Sequence, residues 1–152
     1  MVELPGTSSL PRPEILVVGV GGAGRRMAAL MPGEKLTVCQ EGDHGITGYR
    51  QVLLRKSEVN VARTSSSTAL HVSDLPWKKR LAEAVGRPQA LFLFSGLGGE
   101  TGSYVAPLIT EIAHYSTMTF TSVCLPFSVE GSNRRAMAKE GLARLKEASH
   151  MV

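Results

Sequence analysis

Two glycine-rich loops constrain the fold of this chain more than any other feature of its sequence. Each loop follows an apolar run, Ile15–Val20 in one case and Ala90–Phe94 in the other, and precedes a helical pattern. A strand, loop and helix unit leaves N–H groups at the helix start without acceptors, and glycine lets an anion approach them. The loops read Gly19-Val20-Gly21-Gly22-Ala23-Gly24 and Gly96-Leu97-Gly98-Gly99-Glu100-Thr101-Gly102-Ser103. Both are therefore typical of phosphate-binding sites.

Apolar strand-like runs alternate with helical patterns along most of the chain, which is typical of parallel α/β proteins. We therefore predict an α/β fold, a three-layer Rossmann-like parallel sheet with helices on both faces. Ligands of such sheets bind beyond the carboxyl ends of the strands, where both glycine loops lie. The predicted strands are Ile15–Val20, Leu36–Cys39, Ala90–Phe94 and Thr119–Leu125, and the predicted helices are Ala23–Met31, Trp77–Val85, Val105–Ile112 and Ser132–Ala148.

The length of the chain predicts a single folded domain. We expect residues 1–13 to form a flexible tail and residues 14–152 to form one folded domain. The pattern is weak from Glu41 to Asp74, where the hydroxyl cluster Thr64–Thr68 predicts a loop. In the last helix, Glu140 and Arg144 are spaced to pair across one turn.

Composition excludes several classes of protein. The 17 basic and 13 acidic residues are scattered and aromatic residues make up 5%, so we expect no nucleic-acid partner. No apolar run reaches the roughly 20 residues of a membrane span, and the start of the chain lacks a signal-peptide pattern, so we expect a cytoplasmic location. Cys39 and Cys124 are expected to be buried free thiols. The 4 histidines have no metal-ligand spacing, so no metal site or catalytic triad is predicted.

The first loop taken alone allows other interpretations. Gly19–Gly24 matches the dinucleotide fingerprint G-x-G-x-x-G, and Glu41 or Asp43 lies about 20 residues further on, so an NAD-dependent Rossmann enzyme is one alternative. Another is that these glycines only allow a tight turn between strand and helix. Neither alternative explains the second loop.

The second loop and its surroundings carry a family resemblance. Residues 96–103 and the Ala106–Ala113 segment resemble the tubulin/FtsZ signature G-G-G-T-G-[ST]-G and its A-P-x-x-x-E-I-A helix. The G-V-G-G-A-G run of the first loop and the Pro126–Arg134 run, which matches P-F-x-x-E-G-x-x-R, occur in the same order in that family. The resemblance covers Glu14–Val20 and Leu91–Ala148 and is faint in the segment of weak pattern.

The resemblance implies that residues 14–152 form a nucleotide-binding domain, with a site for a guanine nucleotide, GTP or GDP, accompanied by Mg²⁺. The second loop would cradle the phosphates, the first would close over them, and Glu130 and Arg134 would contact the sugar or, alternatively, be ordinary surface residues. Arg25 is either a phosphate contact or a solvated helix residue. Glu41 is the acidic residue of this chain at the position of the family's acidic loop after the second strand. The candidate site residues are Gly19, Gly21, Gly22, Ala23, Gly24, Arg25, Glu41, Gly98, Gly99, Glu100, Thr101, Gly102, Ser103, Glu130 and Arg134.

In and just after the second loop, two residues depart from the family pattern. Glu100 and Tyr104 stand where glycines are usual. A carboxylate about 4 Å from a phosphate charge costs on the order of 4 kcal/mol at an effective dielectric constant near 20, unless it points away or shares a cation. Restoring both positions to glycine is therefore expected to rescue nucleotide binding if these residues weaken it. The family's third loop, which senses the terminal phosphate, has no counterpart.

The resemblance also bears on function. Val152 falls roughly where the family enters its central helix and second domain, which carries the acidic N-x-D-x-x-D loop needed for GTP hydrolysis. We therefore expect a truncated FtsZ-like guanine-nucleotide-binding protein, at most a weak GTPase alone, with a cytoskeletal or cell-division role. Its expected partner is a full-length FtsZ-like protein or a second copy of the chain. The alternative is a degenerate module of the same fold that binds partners but no nucleotide.

Overall fold

The computed structural model describes residues 13–43, 48–64 and 75–152. Outside these residues lie the predicted tail up to residue 12 and the predicted hydroxyl loop after Thr64. His44 and His71 also lie outside them. The strands are β1 (Ile15–Val20), β2 (Glu34–Gln40), β3 (Arg50–Leu54), β4 (Ala90–Gly96) and β5 (Met118–Cys124). The helices are α1 (Gly21–Ala29), α2 (Lys56–Thr64), α3 (Pro76–Val85), α4 (Ala106–Ala113) and α5 (Ser132–Ala148), with a π-helical turn at Thr101–Val105 and a 3₁₀ turn at Ser128–Glu130. Of these described helices, none is both long enough and apolar enough to cross a membrane.

The strands form one parallel sheet in the order β3-β2-β1-β4-β5. β1 lies at its centre, with Val20 beside Val38 of β2 and Ser95 of β4. The chain moves from β1 outward to β3 and then returns to β4 on the other side of β1, so the strand order reverses between β1 and β4. The two glycine-rich loops follow these two strands. They therefore leave the same edge of the sheet side by side, at the position where open α/β sheets bind ligands.

Helices cover both faces of the sheet, which confirms the predicted three-layer α/β fold. α1 packs on one face against β1, β2 and β4, where Gly19 meets Ala28. On the other face, Val18 and Leu93 belong to the main core together with Tyr104. Successive side chains of a strand point to opposite faces, so β1 serves both layers. The helices α2 to α5 all contribute to this second layer.

Two elements occur in the segment where the sequence pattern is weak. β3 is the edge strand beside β2, and of its residues only Val52 and Leu54 are buried. α2 buries Val59 and Ala62 and also the acidic Glu58. A short edge strand and a mostly polar helix contain too few apolar positions to show a clear period, so neither was predicted.

The last helix is attached to α4 by an ion pair. Arg144 Nη2 donates to Glu111 Oε1 at 3.1 Å, and the two side chains are 17% and 23% exposed. The predicted pairing of Arg144 with Glu140 is wrong, because the arginine lies against α4 whereas Glu140 is on the exposed side of α5. The ion pair therefore fixes one helix on the other, which spacing within a single helix cannot reveal.

The two cysteines differ in exposure. Cys39 is buried in β2, whereas Cys124 is exposed at the end of β5. The prediction of two buried thiols is therefore wrong for Cys124, which is the last residue of β5 and lies at the carboxyl edge of the sheet.

A buried carboxylate holds α2 to its neighbours. Glu58 is 6% exposed in its side chain, and its Oε2 accepts the Arg55 backbone N–H at 2.8 Å. Its carboxylate also accepts from the Arg55 guanidinium at 3.1 Å and from Arg80 of α3 at 3.3 Å. Burial alone would raise the pKa of Glu58, but the hydrogen bonds from Arg55 and the charges of Arg80 and Arg55 outweigh it and lower the pKa.

This carboxylate predicts a pH dependence of stability. Because the pKa of Glu58 is lower in the folded chain than in the unfolded chain, its stabilisation is present above the ordinary carboxyl range and is lost as the pH falls through the folded pKa. Glu58→Gln is expected to lower the free energy of unfolding by about 1–2 kcal/mol near neutral pH and to reduce its slope in acid. Denaturant unfolding between about pH 7 and pH 3 measures both effects. Glu83→Gln, 68% exposed on α3, is the matched control, and an equal effect of the two substitutions would contradict the assignment.

Candidate nucleotide-binding site

The two glycine-rich loops border one open cleft of about 450 Å³ at the carboxyl edge of the sheet. A third wall comes from the end of β5 and the segment that follows it, and Asp43 approaches from the end of β2. The described lining consists of Gly21, Gly22, Ala23, Asp43, Gly96, Leu97, Gly99, Glu100, Thr101, Gly102, Cys124, Leu125, Pro126, Phe127, Glu130 and Arg134. The fold therefore brings parts of all three sequence motifs to one place.

The second loop provides N–H groups at the start of a helix. Ser103 N–H donates to Gly99 C=O at 3.0 Å, the first such bond of this helix. The N–H groups of Gly99–Gly102 precede it and have no acceptor within the helix. By contrast, Gly98 N–H donates to Ser103 Oγ at 2.9 Å, and Leu97 N–H donates to Cys124 C=O at 2.8 Å. Since Gly99–Gly102 all line the cleft, the positive end of this helix suits an anion there.

The first loop places the start of α1 at the same cleft. α1 begins at Gly21, so by the same rule the N–H groups of Gly21, Gly22 and Ala23 have no acceptor within the helix. Gly21 has a φ of 68°, a left-handed conformation that favours glycine. A Cβ on Gly22 or on Gly99 would meet no heavy atom within 4 Å. The backbone of each loop is therefore open to a ligand from the cleft side.

Other glycines of the two motifs occupy packing positions. A Cβ on Gly24 would lie 2.1 Å from Phe94 O, and a Cβ on Gly102 would lie 2.0 Å from Gly96 O. A Cβ on Gly19 would lie 2.6 Å from the backbone of α1. Gly19 and Gly24 are outside the described lining of the cleft. Their lack of a side chain lets α1 lie directly on β1 and β4, which sets the position of the first loop.

Ser103 and Gly98 lie behind the surface of the cleft. Ser103 is fully buried, and its hydroxyl accepts the Gly98 N–H. Ser95 Oγ donates to Gly102 C=O at 3.3 Å from the same side. Gly98 has a φ of 96°, again in the left-handed region. These residues shape the second loop from within, whereas Thr101 belongs to its cleft side.

Glu130 and Arg134 form an ion pair on the third wall. Arg134 Nη1 donates to Glu130 Oε2, and Phe127 N–H donates to Glu130 Oε1 at 2.8 Å. The side chains of Glu130 and Arg134 are 30% and 53% exposed, so both remain accessible from the cleft. The carboxylate is held in one orientation and keeps lone pairs that can accept from ligand hydroxyl groups.

Arg25 and Glu41 lie outside the described lining, and Asp43 lies within it. The Arg25 side chain hydrogen-bonds to the Cys39 thiol. Burial raises the pKa of Cys39, and the charge of Arg25 acts in the opposite direction. Glu41 is exposed, and its N–H donates to Leu54 C=O at 2.9 Å. Of the acids that follow β2, Asp43 is therefore the one positioned at the cleft.

The two departures from the family pattern occupy different environments. Glu100 lines the cleft and is partly exposed. Tyr104 is 1% exposed in the main core, with the Arg63 guanidinium carbon 5.8 Å from its ring centroid. A core side chain does not obstruct the cleft, so glycine at position 104 is not expected to contribute to a rescue of nucleotide binding. Of the two residues, Glu100 is the one that can interact with a bound anion.

Comparison with known proteins identifies the family. A model of the Tubulin/FtsZ family, GTPase domain, matches residues 76–152, about half of the chain. This chain belongs to the tubulin/FtsZ family. The cell division protein FtsZ 1 of Thermococcus kodakarensis is 32% identical over 149 residues, which cover 91% of this chain and 40% of that relative. The chain therefore spans about two fifths of the length of the curated relatives that it matches.

Solved structures of tubulin/FtsZ proteins share the fold. An empty FtsZ dimer from M. jannaschii matches with a TM-score of 0.69 and 23% identity, over 91% of this chain and 43% of that one. The GTPγS-bound protofilament of CetZ2 from Haloferax volcanii matches with a TM-score of 0.63 and 21% identity, over 90% of this chain and 47% of that one. At these identities the likeness shows the architecture of the sheet and its helices.

The nucleotide implied by the tubulin/FtsZ family fits the donors of this cleft. Phosphate oxygens accept from backbone N–H groups, and the open space over Gly22 and Gly99 gives access to them. Within residues 13–43, 48–64 and 75–152, no three His, Cys, Asp or Glu side chains are grouped closely enough to hold a metal ion. Mg²⁺ commonly binds together with phosphate groups and not in an all-protein cage.

Sequence reasoning missed part of the third wall. Cys124 and Leu125 line the cleft although neither was considered a candidate. The signal was available, because β5 is parallel to β4 and ends at the same edge of the sheet. Gly96 and Leu97 belong to the second glycine-rich motif, but the motif does not indicate which of its residues line the cleft.

Proposed function

We propose that residues 14–152 form one domain that binds a guanine nucleotide, GTP or GDP, in the cleft between the two glycine-rich loops. The observation that carries the proposal is the meeting of two helix starts at one cleft, with the N–H groups of Gly21–Ala23 and Gly99–Gly102 free of intrahelical acceptors. Membership of a GTPase-domain family supports guanine over other bases. The phosphates would lie on the two loops.

The third wall supports the sugar end of such a ligand. Glu130 is oriented by Phe127 N–H and by Arg134, and a carboxylate held in this way can accept from ribose hydroxyl groups. Arg134 can donate in turn to a phosphate or sugar oxygen. Replacement of either partner would release the other, so the pair works as a unit on this side of the cleft.

We propose further that the chain acts together with a second polypeptide, a full-length FtsZ-like protein or a second copy of itself, in a cytoplasmic process related to cell division. Apolar side chains at the rim of the third wall support a partner there, with Leu125, Phe127 and Val129 exposed by 56%, 77% and 90%. Relatives that share this region are cell division proteins. In this proposal the 152 residues alone hydrolyse GTP slowly or not at all, because the resemblance assigns the acidic catalytic loop to a region outside them.

Calorimetric titration with GTP, GDP, ATP and NADH, each with Mg²⁺, tests the proposed ligand. We expect a guanine nucleotide to bind with a Kd in the micromolar range, which corresponds to about −8 kcal/mol, and ATP and NADH to bind at least tenfold more weakly. Phosphate release followed in the GTP mixture is expected to stay near background. Equal binding of all four ligands, or a preference for NADH, would contradict the guanine site.

A second candidate function is a partner-binding module that has lost nucleotide binding. The charge of the cleft favours it, because the described lining has three carboxylates, those of Asp43, Glu100 and Glu130, and one guanidinium, that of Arg134. Carboxylates beside a phosphate site oppose a polyanion. Absence of binding by any of the four nucleotides, with the chain folded, would favour this candidate.

A further inference from the structure

Glu100 is a carboxylate in the described lining of the cleft. It lies in the lining between Gly99 and Thr101, beside the N–H groups that we assign to the phosphates. Within the described part of the chain, no residue forms a hydrogen bond or an ion pair with its side chain. The position therefore combines donors that attract an anion with a negative charge that repels it.

The described charges around the cleft are not paired with Glu100. Asp43 adds a second carboxylate to the same lining. Arg134 is the guanidinium of the described lining, and it is paired with Glu130. Arg25 lies outside that lining and is hydrogen-bonded to Cys39. Among the described residues, none is ion-paired with Glu100, so in this proposal its carboxylate acts directly on a nucleotide bound in the cleft.

The repulsion from a fixed carboxylate increases with the charge of the ligand. A triphosphate carries one more charged group than a diphosphate. Glu100 therefore repels the triphosphate more strongly, whichever phosphate is nearest to the carboxylate. We propose that Glu100 is a specificity-determining residue that shifts the preference of this cleft from the guanosine triphosphate towards the diphosphate. The inference rests on the proposed binding of guanine nucleotides in the same cleft.

Calorimetry on the wild-type chain and Glu100→Gln, with GDP and GTP at low ionic strength and without Mg²⁺, tests this proposal. Glutamine has the same shape without the charge, so the affinity for GTP is expected to rise about tenfold and that for GDP about threefold. The ratio of the two affinities would then shift about threefold towards GTP. Glu83→Gln is the matched control, since it removes the same charge from α3, outside the described lining. Thermal unfolding confirms that both variants fold.

The outcomes separate this inference from the proposed function. A larger gain for GTP than for GDP in Glu100→Gln, absent from Glu83→Gln, supports the role of Glu100. Equal gains for both nucleotides, or no gain, overturn that role while leaving guanine-nucleotide binding in place. If neither nucleotide binds to wild-type or to Glu100→Gln, the proposed function fails and the role of Glu100 fails with it.

Discussion

Replacing Gly24 by alanine is expected to destabilise the fold by about 3 kcal/mol or more. The new Cβ would lie 2.1 Å from Phe94 O and 2.8 Å from Phe94 C, and both atoms belong to the backbone of β4. Backbone in a central strand cannot move aside as a flexible side chain does, so α1 would have to lift from the sheet. Denaturant unfolding measured as a free energy gives the size of the effect, and nucleotide titration shows whether the first loop is displaced with α1.

Gly22→Ala is the matched control for this substitution. Gly22 lies in the same helix and the same motif, but a Cβ there would meet no heavy atom within 4 Å. Its free energy of unfolding is expected to change by less than about 0.5 kcal/mol. Similar stabilities of Gly24→Ala and Gly22→Ala would contradict the close contact of α1 with β4.

Replacing Tyr104 by glycine is expected to cost about 3–5 kcal/mol of stability and not to improve nucleotide binding. Among the described residues, Tyr104 is the largest fully buried side chain, and its removal leaves a cavity between the π-helical turn and the main core. Glycine also lowers the helix propensity of that turn by about 1 kcal/mol. Thermal and denaturant unfolding measure the loss.

Tyr104→Phe provides the control for the core position. It keeps the ring, and because the hydroxyl is a small part of the buried volume, stability is expected to fall by less than about 1.5 kcal/mol. A Tyr104→Gly chain that is as stable as wild-type and binds GTP more tightly would contradict the placement of this tyrosine in the core. It would instead support an obstructed cleft.

The parts of the fold that could be predicted from sequence are those with a clear period. β1 and β4 are covered by helices on both faces and are therefore continuously apolar, which marks them in the sequence. β3 exposes Leu53 as well as its polar residues, and α2 starts after Arg55 and not after a Ser, Thr, Asp or Asn that would signal a helix start. Half of a capping box is nevertheless present, since Glu58 accepts the Arg55 N–H. These elements depend on tertiary contacts with β2 and α3 that no local pattern contains.

In the candidate site, too, the motifs predict some features, whereas others depend on tertiary contacts. The motifs correctly indicated which loops meet, because parallel strands end at one edge of the sheet. They could not separate Gly22, which faces the cleft, from Gly24, which packs on β4, because both are glycines in one run. Nor could they distinguish Glu100 from Tyr104, since only the path of the π-helical turn places one in the cleft and the other in the core.

Backbone amide NMR during titration with GDP tests the central claim most directly, because it observes the proposed donors themselves. If both loops hold the phosphates, the amide signals of Gly21–Ala23 and Gly99–Gly102 shift together along one binding curve. The amide of Glu83 on α3, outside the described lining, should stay in place. Shifts confined to one loop, or no shifts in either at saturating GDP, would contradict the account that the two glycine-rich loops form a single nucleotide-binding cleft.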